Sequence, residues 1–157
     1  LLVDLQHGTV AGEGVGNDLV SDFEAVVGAS LENRIVFGAG SGTAAGGEGN
    51  DTFVANVTEG GVASTNVQIT DFHVGDRIEV EAYEIRDRSD PLAPQDVAEI
   101  YATDQNDSNN APIRVTDERY DDLDVTIVQA HLSASGTYDI NISLQGHHDL
   151  VLAHLVA

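Results

Sequence analysis

The nine residues Gly46-Gly47-Glu48-Gly49-Asn50-Asp51-Thr52-Phe53-Val54 are the stretch whose types and spacing best fit a chemical task. Glycines at the first, second and fourth positions let the backbone turn through positive φ and leave its carbonyls uncovered. Asp51 sets a hard carboxylate beside those carbonyls, and an oxygen-rich set of that kind suits Ca²⁺. Thr52-Phe53-Val54 is then a short β-prone run, with the Phe53 side chain directed toward a core.

Stepping the frame backward in nines shows what must position that turn. Phe37–Ala45 keeps Gly38 and Gly40, but places Gly42 where Asp51 would fall and Ala44 where Phe53 would fall. Gly28–Val36 supplies Asn33 and Ile35 at the same two places, and Leu19–Val27 supplies Glu24 and Val26. Val26, Ile35, Ala44 and Phe53 therefore recur as an internal repeat, degenerate in its loops and continuous in its apolar positions. Nine residues suit half a coil, a tight turn followed by a short strand. Residues two steps apart then stack on one edge, which pairs Asn33 with Asp51 and, on the opposite edge, Glu24 with Gly42.

Composition narrows the setting. The chain has 157 residues, enough for one domain with a real core. Its 27 acidic and 6 basic residues, all of the latter Arg, give a net charge of −21. Such a field repels nucleic acid and anionic lipid and favours cations. Two readings of the acidity are compatible, surface solvation at high salt and a fold that needs divalent cations. Cysteine is absent, so neither a disulfide nor a thiolate metal site can staple the fold. For an extracellular protein, Ca²⁺ is a natural replacement. No apolar run approaches the roughly 20 residues needed to span a bilayer. The chain opens at Leu1 inside a strand-like run with no signal stretch before it, and reads as a segment of a larger protein whose own activity lies elsewhere.

Along the rest of the chain, Val3 and Leu5 and the run Leu19–Val27 have strand signatures. Beyond the polar stretch Asn56–Asn66, Val67 and Ile69, then Ile78 and Val80, read as two short strands around a turn at Gly75-Asp76. Residues 85–122 are acidic and loop-like, and Pro94–Tyr101 is compatible with a helical turn or two. Leu123–Leu132, Thr137–Leu144 and Asp149–Val156 alternate as three antiparallel strands linked at Ser133–Gly136 and Gln145–His148. The expected fold class is all-β, a single domain over 1–157. It is divided into a short parallel β-roll with degenerate nonapeptide repeats and its closing strands over 1–84, an acidic loop region over 85–122, and antiparallel C-terminal strands over 123–157.

These features resemble the C-terminal repeat-in-toxin (RTX) module of proteins exported by bacterial type I secretion. The resemblance rests on Val3-Asp4-Leu5 with Gly8-Thr9, on Asp22–Gly28, on the nonapeptide Gly46–Val54, and on Thr70–Val80, which is similar to the D-F-x-x-G-x-D-x-I segment closing such rolls. It covers residues 1–84 closely; from 85 onward only the plan of a strand-rich cap is similar. The family implies a parallel β-roll with Ca²⁺ between its turns, disordered without calcium and folding on export. By position it implies Asp51 as a carboxylate ligand with the carbonyls of Gly46, Gly47 and Gly49, Asn33 in the partner turn with Gly28 and Ser30, and Asp71 under the last turn. Only one nonapeptide is complete, Asn33 brings no charge and Gly42 no side chain. The family's calcium sites are thereby left few, weak or absent.

Other constellations are bland. On an extended strand His148 and His154 lie about 20 Å apart at roughly 3.3 Å per residue, so His147-His148-Asp149 reads as a turn. Asp117, Glu118, Asp121, Asp122 and Asp124 read as a solvated acidic loop. Glu79, Glu81 and Glu84 lack a base, nucleophile or pocket signature beside them. His7, His73 and His131 lack partners at ligand spacing. Gly12–Gly16 lacks the Lys-Ser/Thr of a phosphate loop. The expectation is a secreted or cell-surface, non-catalytic module with no catalytic residues. Its partners would be calcium ions and the type I secretion machinery. The competing expectation is a polysaccharide- or surface-binding accessory module using residues 78–84 and 123–156, and a catalytic fragment is required by nothing.

Overall fold

The computed structural model describes residues 1–14, 16–21, 24–55, 65–80, 83–92, 113–130 and 140–154, the side chains of Ser41 and His154 excepted. The described residues form strands and no helix. In chain order these are β1 (Leu2–Asp4), β2 (Thr9–Gly12), β3 (Gly16–Leu19), β4 (Ala25–Val27), β5 (Arg34–Phe37), β6 (Gly40–Ala45), β7 (Thr52–Ala55), β8 (Thr65–Ile69), β9 (Arg77–Val80), β10 (Tyr83–Asp87), β11 (Ile113–Tyr120), β12 (Leu123–Ala130), β13 (Ile140–Gln145) and β14 (Leu150–His154). The protein is all-β with two mixed sheets. The first has the order β14-β10-β9-β7-β5-β1-β2-β3, the second β11-β12-β13-β8-β6-β4.

The repeat shows directly in the register. From β4 to β9 successive strands alternate between the sheets. Ile35 stands beside Phe53 in the first and Val26 beside Ala44 in the second, in parallel pairs. One step further the coil lengthens, so that Phe53 pairs with Ile78 and Ala44 with Ile69. Side-chain alternation along each strand sends one residue in two between the sheets. One inward row runs Val3, Ile35, Phe53, Ile78, Ile85 and Leu152 across the first sheet, all of them buried. The facing row runs Val26, Ala44, Ile69, Leu144 and Thr126 across the second. Phe53 stacks in parallel with Phe37 at 6.4 Å and tilts against Phe72 at the same distance. Burying each large apolar side chain of these rows contributes about 1.5–3 kcal/mol, so the rows fix the register of the coil.

Several expectations fail on pairing partners. Val67–Ile69 and Ile78–Val80 do not pair; β8 lies in the second sheet and β9 in the first, because Ile69 and Ile78 are both fully buried and line opposite walls of one core. Residues 85–122 are not simply loop, since β10 reaches into that range and β11 lies within it. Buried Ile85 is flanked by Glu84 and Arg86, and buried Ile113 and Val115 alternate with Arg114 and Thr116 before Asp117-Glu118, so charged neighbours masked the strand pattern. Of the three C-terminal strands, β12 and β13 are antiparallel neighbours, but β13 also runs parallel to β8, and β14 crosses to the first sheet beside β10. The run Leu19–Val27 is split between β3 and β4 in different sheets. The possible helical turn at 94–101 and the link at 133–136 lie outside the described residues.

Candidate functional site

One edge of the coil carries a buried column made by Asn33, Asp51 and Asp76, each just before the first residue of β5, β7 and β9. Its spacing follows from the register, since Thr52 stands between Arg34 and Arg77 in the first sheet. The N–H of Asn33 donates to Asp51 Oδ1 at 2.7 Å, and the N–H of Asp51 donates to Asp76 Oδ1 at 2.8 Å. Each carboxylate thus receives the backbone of the rung before it, a charge-assisted use of an otherwise orphaned strand-end donor. Asp76 Oδ2 accepts the His73 N–H and faces His73 Nδ1, both at 3.0 Å, and closes the column. Burial pushes the Asp76 carboxyl up to about 6, against the N–H groups of Asp51 and His73 that favour its charged form.

The glycines of the turn are needed for space. A Cβ on Gly28 would stand 2.2 Å from Gly46 O, and one on Gly46 would stand 2.2 Å from Asp51 Oδ2. Gly47 and Gly49 have φ of 94° and 122°. Asp71 lies across this turn and accepts the N–H of Gly46 and of Gly47, each at 2.8 Å, one with each carboxylate oxygen. The Asn33 side chain is also spent locally. Its Oδ1 accepts the Ala29 N–H at 3.1 Å, and its Nδ2 lies 2.9 Å from Asp51 Oδ1. Asp51 Oδ2 is different. It is buried, and among the described residues it has no hydrogen-bond partner. A buried carboxylate oxygen without a donor is costly unless a proton or a cation meets it.

The structure therefore gathers Gly28, Asn33, Gly46, Gly47, Gly49, Asp51 and Asp71 into one edge, while Ser30 is exposed there. Asp76 and His73 were missed as members. The longer step from β7 to β9 hid Asp76 from a search in nines, although Gly75-Asp76 echoes Asn50-Asp51. Among the described residues no group of three His, Asp or Glu side chains is placed to hold a metal, so a cation here would rely chiefly on backbone carbonyls.

The other marked residues serve the frame. Glu79 bonds Arg34 at 2.8 Å and Arg77 at 3.1 Å, while Glu84 bonds Arg86 at 2.7 Å. Burial would raise Glu79, but the bonds and charges of Arg34 and then Arg77 outweigh it and hold the carboxyl below its usual range. His148 packs edge-on against Phe72 at 5.3 Å, and His147 pairs with Asp117 at 3.2 Å. Asp117 accepts the hydroxyl of buried Thr126, which in turn accepts the His148 N–H and pins the crossing into β14. No helix among the described residues is long and apolar enough to cross a membrane. No family model, curated protein or solved structure matches the chain.

Proposed function

We propose that this chain is a calcium-binding, non-catalytic module of the RTX type, a short parallel β-roll that supports the folding and type I export of a larger extracellular protein. The observation that carries the reading is Asp51 Oδ2, buried without a donor beside a glycine turn. Asp51 would hold Ca²⁺ together with carbonyls of Gly46, Gly47 and Gly49, and the ion would neutralise charge that the column now concentrates. The parallel steps from Ile35 to Phe53 and from Val26 to Ala44 support the roll itself. Circular dichroism of the full chain in EGTA and in Ca²⁺ tests it. The expected outcome is a gain of β signal and a higher Tm with calcium, both lost in Asp51→Ala; equal folding in EGTA sinks the reading.

A second reading, a polysaccharide-binding accessory module, is favoured by a different feature. The outward face of the second sheet forms an open groove lined by amides and hydroxyls, among them Asn66, Gln68, Asn141 and Ser143, with Tyr120 on its wall. Of the expected platform, 123–156 supplies Gln129, Asn141 and Ser143 to this groove, while in 78–84 Glu79 and Glu84 pair with Arg34, Arg77 and Arg86. Retention on a neutral glycan column that persists in high salt is the expected result for this reading, and free elution from every glycan tried removes it.

A further inference from the structure

Asn33 and Asp51 occupy the same slot on successive rungs, yet only one of the slots is satisfied. A Cβ on Gly28 would meet Asn33 Nδ2 at 2.8 Å, and a Cβ on Gly46 would meet Asp51 Oδ2, so the two terminal atoms are equivalent by position. Around Asn33 Nδ2 stand four oxygens, Leu31 O at 2.5 Å and Ala29 O, Gly46 O and Asp51 Oδ1 each at 2.9 Å. The Ala29 N–H donating to Oδ1 settles which atom of the amide is nitrogen. An amide nitrogen has only two N–H bonds to offer, so four oxygens at this range form a shell closer to that of a hard cation than to that of a neutral donor. One rung on, the equivalent atom is a carboxylate oxygen with no donor among the described residues.

We propose that the Asn33 amide is a built-in substitute for a cation, filling permanently in its own turn the slot that needs an ion in the turn of Asp51. The inference rests on the calcium reading of Asp51 and deepens it. The coil then has one rung that closes without metal and one that closes with it. By register, Gly47 O, Gly49 O, Asp71 O and Asp76 Oδ1 are the counterparts of the oxygens around Asn33 Nδ2. An amide at position 51 would find the same kind of shell, and a carboxylate at position 33 would lose it.

Two reciprocal variants of the full chain decide the matter, by calorimetric counting of Ca²⁺ and by melting in EGTA and in Ca²⁺ at matched ionic strength. Asn33→Asp is expected to bind one more Ca²⁺ than wild type and to melt several degrees lower in EGTA, with much of the loss recovered in Ca²⁺. Asp51→Asn is expected to melt several degrees higher than wild type in EGTA and to lose its calcium shift. An Asn33→Asp chain unfolded in EGTA but folded in Ca²⁺ also supports the proposal. One that binds no extra ion, melts like wild type in EGTA, or stays unfolded in both overturns it. A wild-type chain with no calcium shift overturns the calcium reading alone. In that case a raised EGTA Tm in Asp51→Asn upholds the equivalence of the two slots, and an unchanged or lowered one overturns it.

Discussion

One methyl group separates glycines that serve space from glycines that serve only the pattern. Gly28→Ala would drive Cβ to 2.2 Å from a backbone carbonyl, whereas Gly42→Ala meets nothing nearer than 3.4 Å. Gly28→Ala should cost about 1–3 kcal/mol, as overpacking against an unyielding backbone does. Gly42→Ala should be neutral or stabilise by roughly 0.4–1 kcal/mol through the unfolded chain. Urea melts of both variants check the pair, and equal effects would remove the steric account. The grouping of Asp51 with its glycines in one turn was legible in the sequence because their spacing is local. The nine-residue frame stacks Asn33 on Asp51, but which of its atoms meet Asp51 and Gly46 O was not legible, since that depends on how successive coils pack.

The outer face of the first sheet is where ion pairs matter most. Arg86 is 6% exposed and lies between Glu84 and Asp90, bonded to them at 2.7 and 2.8 Å. Arg86→Met would take the cation from buried Asp90, while Glu84 keeps Arg77 at 3.8 Å, and should cost about 3–5 kcal/mol in chemical denaturation. Arg119→Ala, whose exposed partners stand 3.8 and 3.9 Å away, should cost roughly 0–1 kcal/mol. Titration follows the same row. Asp90, like Glu79, is held below its ordinary value. Burial would raise it, but the Leu92 N–H and then Arg86 outweigh that. Between the folded and unfolded values the unfolded chain binds more protons. The stability these groups contribute is therefore present above the ordinary carboxylate range and lost as pH falls through their folded values. Melting wild type and Glu79→Gln across acidic pH should show a shallower acid-side loss in the variant, and parallel curves would refute the assignment. The inward alternation of β5, β7 and β9 was readable from apolar period alone. The partners of β10, β11 and β14 were not, because alternation names a buried face without naming the neighbour across it.

A net charge of −21 acts on the whole molecule at once. Raising monovalent salt from about 0.01 M to about 1 M shortens the screening length from roughly 30 Å to roughly 3 Å, so Tm should rise as self-repulsion fades. A fall instead would mean that the Arg–Glu row outweighs the repulsion. Calcium at matched ionic strength should raise Tm further if the Asp51 turn takes it. Sequence by itself determined the all-β class, the nine-residue frame, the inward set Val26, Ile35, Ala44 and Phe53, and the carboxylate in the glycine turn. These are properties of local chemistry and short periods. Tertiary structure alone decided that the sheets are mixed, that Asp76 extends the column across a longer step, and that Asn33 fills its slot while Asp51 leaves one oxygen unserved. Those outcomes depend on which strands meet, and a strand's buried face is indifferent to its neighbour until the opposing wall of the core is in place.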